Sequence, residues 1–355
     1  MSNRRSIRIF AILMIMSIAS LLLPGCDSLT PDDSGAYEEG LAALANGDYT
    51  TALEKFQTAA EKDGRLVESC RGQGMVYFAR GNYEYAVTMF DMALEEKDFP
   101  NPEFEEDVKY YKAESLEKSG QTKEAILLYE ELAQGSRPAY ANALIGRIYL
   151  NEEEEEKAFG FFDAAVEGCT DYEVFLLIYD ACRDVRLEAD GTEYLKQALL
   201  ITPYSPKEHA DLGRVYDCLE EDSKAIEHLQ RAVDQGYLNA VPVLGSIYLD
   251  NDNIAAARSL YEDAMKAGLD SGKAMNGLAL CAIAENKPDM ALRYIEEGLN
   301  SSDDEIRRSL LFNEVIAYED LQDFQTAREK AREFLQTYPN DEQMKREYKF
   351  LRRGL

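Results

Sequence analysis

The chain has two histidines, His209 and His228, nineteen positions apart. Neither stands at metal-ligand spacing from a cysteine or a carboxylate, so both are expected on the surface or in packing between helices. Gly268-Leu-Asp-Ser-Gly272-Lys273-Ala274 has the outline of a phosphate-cradling loop, but it is one residue short and ends in Ala instead of Ser or Thr. It reads as a turn. Asp250-Asn-Asp-Asn253 opens like a calcium loop, yet Ile254 and Ala255 occupy positions that need a ligand and a glycine. The five adjacent carboxylates Glu152 to Glu156 either gather cations loosely or form a solvated turn. No Gly-x-Ser-x-Gly elbow and no His-Glu-x-x-His helix occurs. Besides Cys26 there are five scattered cysteines, Cys70, Cys169, Cys182, Cys218 and Cys281. Their odd number argues against a disulfide framework. They are expected as buried free thiols, with a Cys169–Cys182 bridge left open. No catalytic residue, metal site, cofactor or small-molecule substrate is therefore expected. A cryptic enzyme stays as the remote alternative, because function belongs to sites and not to architectures.

The elements that must carry these residues are helical. Leu, Ala, Glu, Tyr and Lys outnumber Gly and Pro, and 46% of the residues are apolar. At 355 residues the chain is too long for one ordinary compact core, which leaves several domains or an elongated array. The 67 acids against 38 Lys and Arg give a formal charge of -29. Such a field repels nucleic acid and favours basic partners.

Residues Met1 to Arg8 carry Arg4, Arg5 and Arg8, an apolar run follows from Ile9 to Leu23, and Pro24-Gly25-Cys26 comes next. This is the three-part plan of an export signal. As a helix the run would span about 22 Å, short of the roughly 30 Å hydrocarbon layer. Residues 1–25 are thus expected to be a removed signal peptide. From residue 26 to 35 the polar stretch reads as a tether.

From Tyr37 onward a pattern recurs at intervals of about 34 residues. Gly74, Tyr77, Ala86, Phe90 and Ala93 set the offsets. Gly146, Tyr149, Ala158, Phe162 and Ala165 repeat them without a gap, as do Gly245, Tyr248, Ala257, Tyr261 and Ala264. Copies that begin at Gly40 and Gly213 fit with one change each. Each copy holds two apolar stripes of helical period separated by a turn rich in Gly, Asp and Asn. Small residues mark where two antiparallel helices cross, and aromatics fill the space toward neighbouring hairpins. Asp48, Asn82, Asn253 and Asp323 stand where second helices begin and cap them. Pro288 falls in a first turn, where a missing N–H costs nothing. In the fifth copy Tyr179 stands where a small residue is expected and Gly191 where Ala is expected, which predicts a looser or reoriented hairpin. Pro100 and Pro102 predict a break or kink near 98–105.

Two resemblances follow from these residues. Leu23-Pro24-Gly25-Cys26 resembles the bacterial lipoprotein signal, with Pro24 a departure from the usual small residue. The resemblance implies a diacylglycerol on the Cys26 thiol and export to the extracytoplasmic face of a bacterial membrane. In a cell with two membranes, Asp27 resembles a signal for retention at the inner one. The repeats resemble the tetratricopeptide repeat family, and several copies also look like Sel1-type repeats. This implies an all-α fold, an α-solenoid of about nine helix-turn-helix repeats over 36–341 with a capping helix at 342–355. The family's groove positions, on the first-helix face opposite the packing residues, here select Arg71, Tyr110, Tyr140, Arg147, Arg183, Arg214, Lys273 and Asn276. The implied role is a protein-interaction scaffold, and the positive and aromatic side chains at these positions point to a groove that holds an acidic or carboxylate-ending segment of a partner. Alternatively these cations pair with Asp180, Asp184, Asp217 and Glu114, and the chain is a spacer in an envelope complex.

Overall fold

A computed structural model describes residues 35–45, 47–96, 99–300, 303–339 and 341–352. The signal segment and Cys26 lie outside the described residues. Nineteen helices and no strand occur among the described residues, and they divide at Thr202/Pro203 into two units. The first unit contains five hairpins: α1 (Ala36–Ala45) with α2 (Tyr49–Lys62), α3 (Leu66–Ala79) with α4 (Tyr83–Glu95), α5 (Pro102–Lys118) with α6 (Thr122–Leu132), α7 (Pro138–Asn151) with α8 (Glu155–Val166), and α9 (Tyr172–Asp184) with α10 (Glu188–Ala198). The second contains four: α11 (Pro206–Cys218) with α12 (Asp222–Asp234), α13 (Val241–Asp250) with α14 (Ile254–Lys266), α15 (Ser271–Ala284) with α16 (Pro288–Gly298), and α17 (Asp304–Asp320) with α18 (Phe324–Thr337). Helix α19 (Glu342–Leu351) then packs on α18, burying Met344 and Leu351 against Val315, Ala327 and Phe334. The expected nine repeats and final capping helix are therefore present.

One device makes all nine hairpin turns. The second residue after each first helix takes a left-handed conformation with φ between 56° and 82°: Gly47, Gly81, Gly120, Glu153, Arg186, Glu220, Asp252, Asn286 and Gln322. The next amide donates back five residues, as Asp48 N–H does to the Ala43 carbonyl and Asp323 N–H to that of Tyr318, at 2.9 and 3.0 Å. This closes the helix end with its carbonyls satisfied. A left-handed residue costs an L side chain roughly 1–2 kcal/mol, which only the three glycines escape. Asp48, Asn253 and Asp323 then cap the second helix through their side chains. Asn82 holds the same position without a side-chain bond.

The crossings explain the glycine and aromatic spacing. Phe56, fully buried on α2, is clasped between Gly40 of its own hairpin and Gly72 of the next. A Cβ added at either glycine would lie within 2.7 Å of the ring. Tyr261 is held in the same way by Gly245 and Gly277. Each aromatic thus joins two successive hairpins by filling the space that a missing side chain leaves.

The fifth hairpin and the segment near 98–105 are the two places expected to depart from a uniform stack. Of the two expected outcomes the fifth hairpin shows reorientation and not loosening: against the preceding hairpin α9 packs chiefly on α7 and little on α8, and within its own hairpin the small and large residues have changed sides. A Cβ on Gly191 would come within 2.9 Å of the Cys182 Cβ and 3.1 Å of the Tyr179 Cα, so the helices meet closely there. Near 98–105 a new helix starts after α4 has ended at Glu95, with Asn101 capping α5 and Pro102 at its first position. The stacking nevertheless continues, since α5 packs on both α4 and α3.

Candidate partner-binding surface

All eight expected surface residues lie on first helices of hairpins. In the first unit they link successive helices. Arg71 on α3 donates through Nε to Asp107 on α5 at 2.5 Å, both side chains largely buried. Burial opposes the Arg71 charge and Asp107 more than restores it, so the guanidinium is held firmly protonated. Arg147 on α7 donates to Glu117 on α5 at 2.7 Å, again with little solvent contact. Tyr110 on α5 donates its hydroxyl to the Arg137 carbonyl at 3.2 Å and meets the Tyr140 ring edge-on, 5.7 Å between centroids. The Arg137 guanidinium lies 4.1 Å over Tyr140. Arg183 is more exposed and pairs with Asp180 one turn earlier on α9 at 2.8 Å.

In the second unit Arg214 lies 3.4 Å from Asp211, which Lys207 also approaches at 3.0 Å. Asn276 on α15 accepts from Asn313 on α17 at 2.9 Å. Lys273 has no ion pair among the described residues, and it acts electrostatically on Glu305 of α17.

The sequence pointed to the cations and missed most of their acids. Asp107, Glu117 and Asp211 carry the pairs, while Asp180 alone of the anticipated partners does. A signal existed: Arg71 and Asp107 are 36 residues apart and Arg147 and Glu117 are 30 apart, both close to one repeat interval. A carboxylate one interval away on the neighbouring first helix is thus the natural partner. Arg308 and Asp341, separated by 33, pair on the same rule.

Several carboxyls on first helices are left without a cation in contact. Burial raises Glu114 on α5 above the ordinary carboxyl range, against the pull of Arg147. Asp217 on α11 is pushed up to about 6 by burial and by Asp222 and Asp250. Among the described residues no three His, Cys, Asp or Glu side chains converge as metal ligands. The acidic turn around Glu153 is exposed. The five internal cysteines form no disulfide with one another, and burial pushes Cys182 and Cys281 up to about 11, far from the reactive thiolate.

Glu319 on α17 meets Glu347 on α19 carboxyl to carboxyl, with Glu319 Oε1 buried and unpartnered. Burial first and Glu347 second push Glu319 up to about 8. The folded chain therefore holds a proton that the unfolded chain has released, so the contact stabilises at low pH. That stability is lost as pH rises from the ordinary glutamate range through about 8. Glu319→Gln should keep the contact and remove the loss, raising stability above pH 8 by about 1 kcal/mol, the screened scale for a half-exposed group. Urea midpoints of wild type and variant between pH 6 and 9 measure it.

A tetratricopeptide repeat family model matches residues 37–101 and 243–306 of this chain. No curated protein matches the sequence. Among solved structures, yeast Tom70 superposes with a TM-score of 0.53 at 13% identity, covering 89% of this chain and 87% of that one. The type IV pilus biogenesis factor PilW gives 0.43 at 15% identity over 59% and 98%. A tetratricopeptide repeat protein from Parabacteroides merdae gives 0.40 at 12% over 78% and 97%. Tetratricopeptide repeats in this chain are supported by the two matched stretches, and an all-α repeat fold by the Tom70 superposition. Repeats of this kind form protein-interaction scaffolds, and among the described residues no helix is long and apolar enough to cross a membrane.

Proposed function

We propose that this chain is an exported scaffold, tethered through a lipid on Cys26, that holds a segment of another protein along the first helices of its hairpins. The observation that carries this reading is the continuity of α3, α5 and α7. They are joined side by side through Arg71–Asp107, Tyr110–Tyr140 and Arg147–Glu117 into one polar and aromatic face. Rows of amphipathic rings and fixed charges suit an extended polypeptide. The lipid anchor, the extracytoplasmic location and the Sel1-type character of some hairpins rest on sequence resemblance. The acidic or carboxylate-ending nature of the segment rests instead on the cations that stand at the groove positions. For that nature Lys273 and Arg183 are the best placed, Lys273 having no ion pair among the described residues and Arg183 only an exposed one, whereas Arg71 and Arg147 are already committed to buried acids.

The test follows from that difference. In a bacterial host the full chain should fractionate with membranes and Cys26→Ser should not. Partners should then be captured by photo-crosslinkers placed at Tyr110 and Tyr140. Arg183→Glu and Lys273→Glu, each made alone, should reduce capture of any acidic segment severalfold, as the loss of a charge-assisted contact implies. Equal capture would dispose of the acidic segment. No crosslink at either tyrosine, with co-purification in a stable membrane complex, would replace the groove by the spacer.

A further inference from the structure

The hairpin of α11 and α12 places the only two histidines of the sequence against each other. Their Nδ1 atoms lie 3.0 Å apart, with ring centroids separated by 5.2 Å. Two Nδ1 atoms at that distance attract only when one carries a proton and the other offers its lone pair. His209 is 8% exposed, and the Tyr216 ring stacks on His228 at 5.5 Å. The pair also sits at the seam of the hairpin. Gly213, four residues after His209, receives Leu229, the residue after His228, and a Cβ on that glycine would lie 2.6 Å from the leucine Cγ. A force that parts the imidazoles therefore parts the crossing.

The charged groups that act on the pair are Arg231 on α12, which opposes a positive imidazole, and Glu208 on α11 and Glu227 on α12, which favour one. The turn Leu238–Ala240 and α13, packed against α12, add the phenols Tyr237 and Tyr248 to this core. Burial is the largest influence on both rings and holds each below the ordinary imidazole range. The first proton would enter on an outer nitrogen and leave the bond between the rings intact. The second must occupy the accepting Nδ1, which removes the bond and sets two cations against each other beside Arg231.

We propose that the α11–α12 hairpin is an acid-sensitive latch, closed by the Nδ1–H···Nδ1 bond between His209 and His228 and forced open when both rings carry a proton. The unfolded chain binds these protons more readily than the folded one. The latch therefore stabilises fully above the ordinary imidazole range and loses that contribution as pH falls below it.

Amide hydrogen exchange on the full chain, corrected for the intrinsic rate at each pH, reads the latch directly. Between about pH 7.5 and pH 5, protection in α11 and α12 should fall by about tenfold or more in wild type, as expected for proton uptake coupled to opening. His209→Asn with His228→Asn, whose amides can bond but do not titrate, should flatten that fall. Carboxyl groups elsewhere titrate in both proteins, so the difference belongs to the pair. An equal fall in both would overturn the latch. If the double variant does not fold, the wild-type imidazole proton resonances decide. Two separated steps below the ordinary imidazole range support the latch, and simultaneous titration at the ordinary value refutes it.

Discussion

Replacing Arg71 with methionine should destabilise the unit of residues 35–202 by about 3–5 kcal/mol, the range for removing one partner of a buried ion pair. Asp107 would be left with no cation, and its Oδ1 already lacks a hydrogen-bond partner. The side chains are 13% and 10% exposed, so water cannot replace the guanidinium without opening α3 from α5. The loss should appear as a fall of one to several molar in the urea midpoint, given slopes of about 1–3 kcal/mol per molar. Arg71→Met with Asp107→Leu should recover most of it, because no charge is then stranded. If the double variant is as unstable as the single one, the pair is not what joins these helices. The same reasoning limits the use of Arg71 and Arg147 as probes of binding, since a loss of capture on changing either would report unfolding.

The second large effect is expected at Phe56. Truncation to alanine removes a fully buried ring and leaves both Gly40 and Gly72 facing a void that neither can fill. The cost should be about 3–5 kcal/mol. Phe56→Leu should cost less than half as much, and the chain provides the precedent: Leu229 occupies the equivalent place against Gly213. Thermal unfolding followed by far-ultraviolet circular dichroism would rank the three proteins. A leucine variant as unstable as the alanine one would mean that ring shape, and not filled volume, sets the crossing.

The fold was legible because a stacked array repeats its packing rule. Gly74, Phe90 and their counterparts announce the crossing residues each time, and the two apolar stripes between them fix helix number and order. The glycine on the far side of each clasp was visible only in hindsight. Gly72 and Gly277 lie outside the five-residue pattern, yet each follows its partner glycine, Gly40 or Gly245, at the same separation. The fifth hairpin was expected to be looser or reoriented, and which of the two it is could not be read for a related reason. A pattern that assigns smallness to one helix cannot anticipate Gly191 serving in place of the residue that Tyr179 displaced. The candidate partner-binding surface was less readable. Position on a first helix could be inferred, but whether Arg147 faces solvent or Glu117 depends on side-chain reach between helices, which no periodicity encodes. The histidine pair was hidden in the same way, because nineteen residues is no recognised spacing until α11 and α12 are folded together.

A ring gripped from both sides belongs to neither hairpin alone. Trimming the array after α2 would strip Phe56 of the Gly72 wall, and trimming after α14 would do the same to Tyr261 with Gly277. Excised fragments should accordingly hold together only when their ends fall where no aromatic bridges the cut. Swapping segments between related arrays should succeed or fail by the same test, with the aromatic residue and the glycine beyond it inherited as one unit.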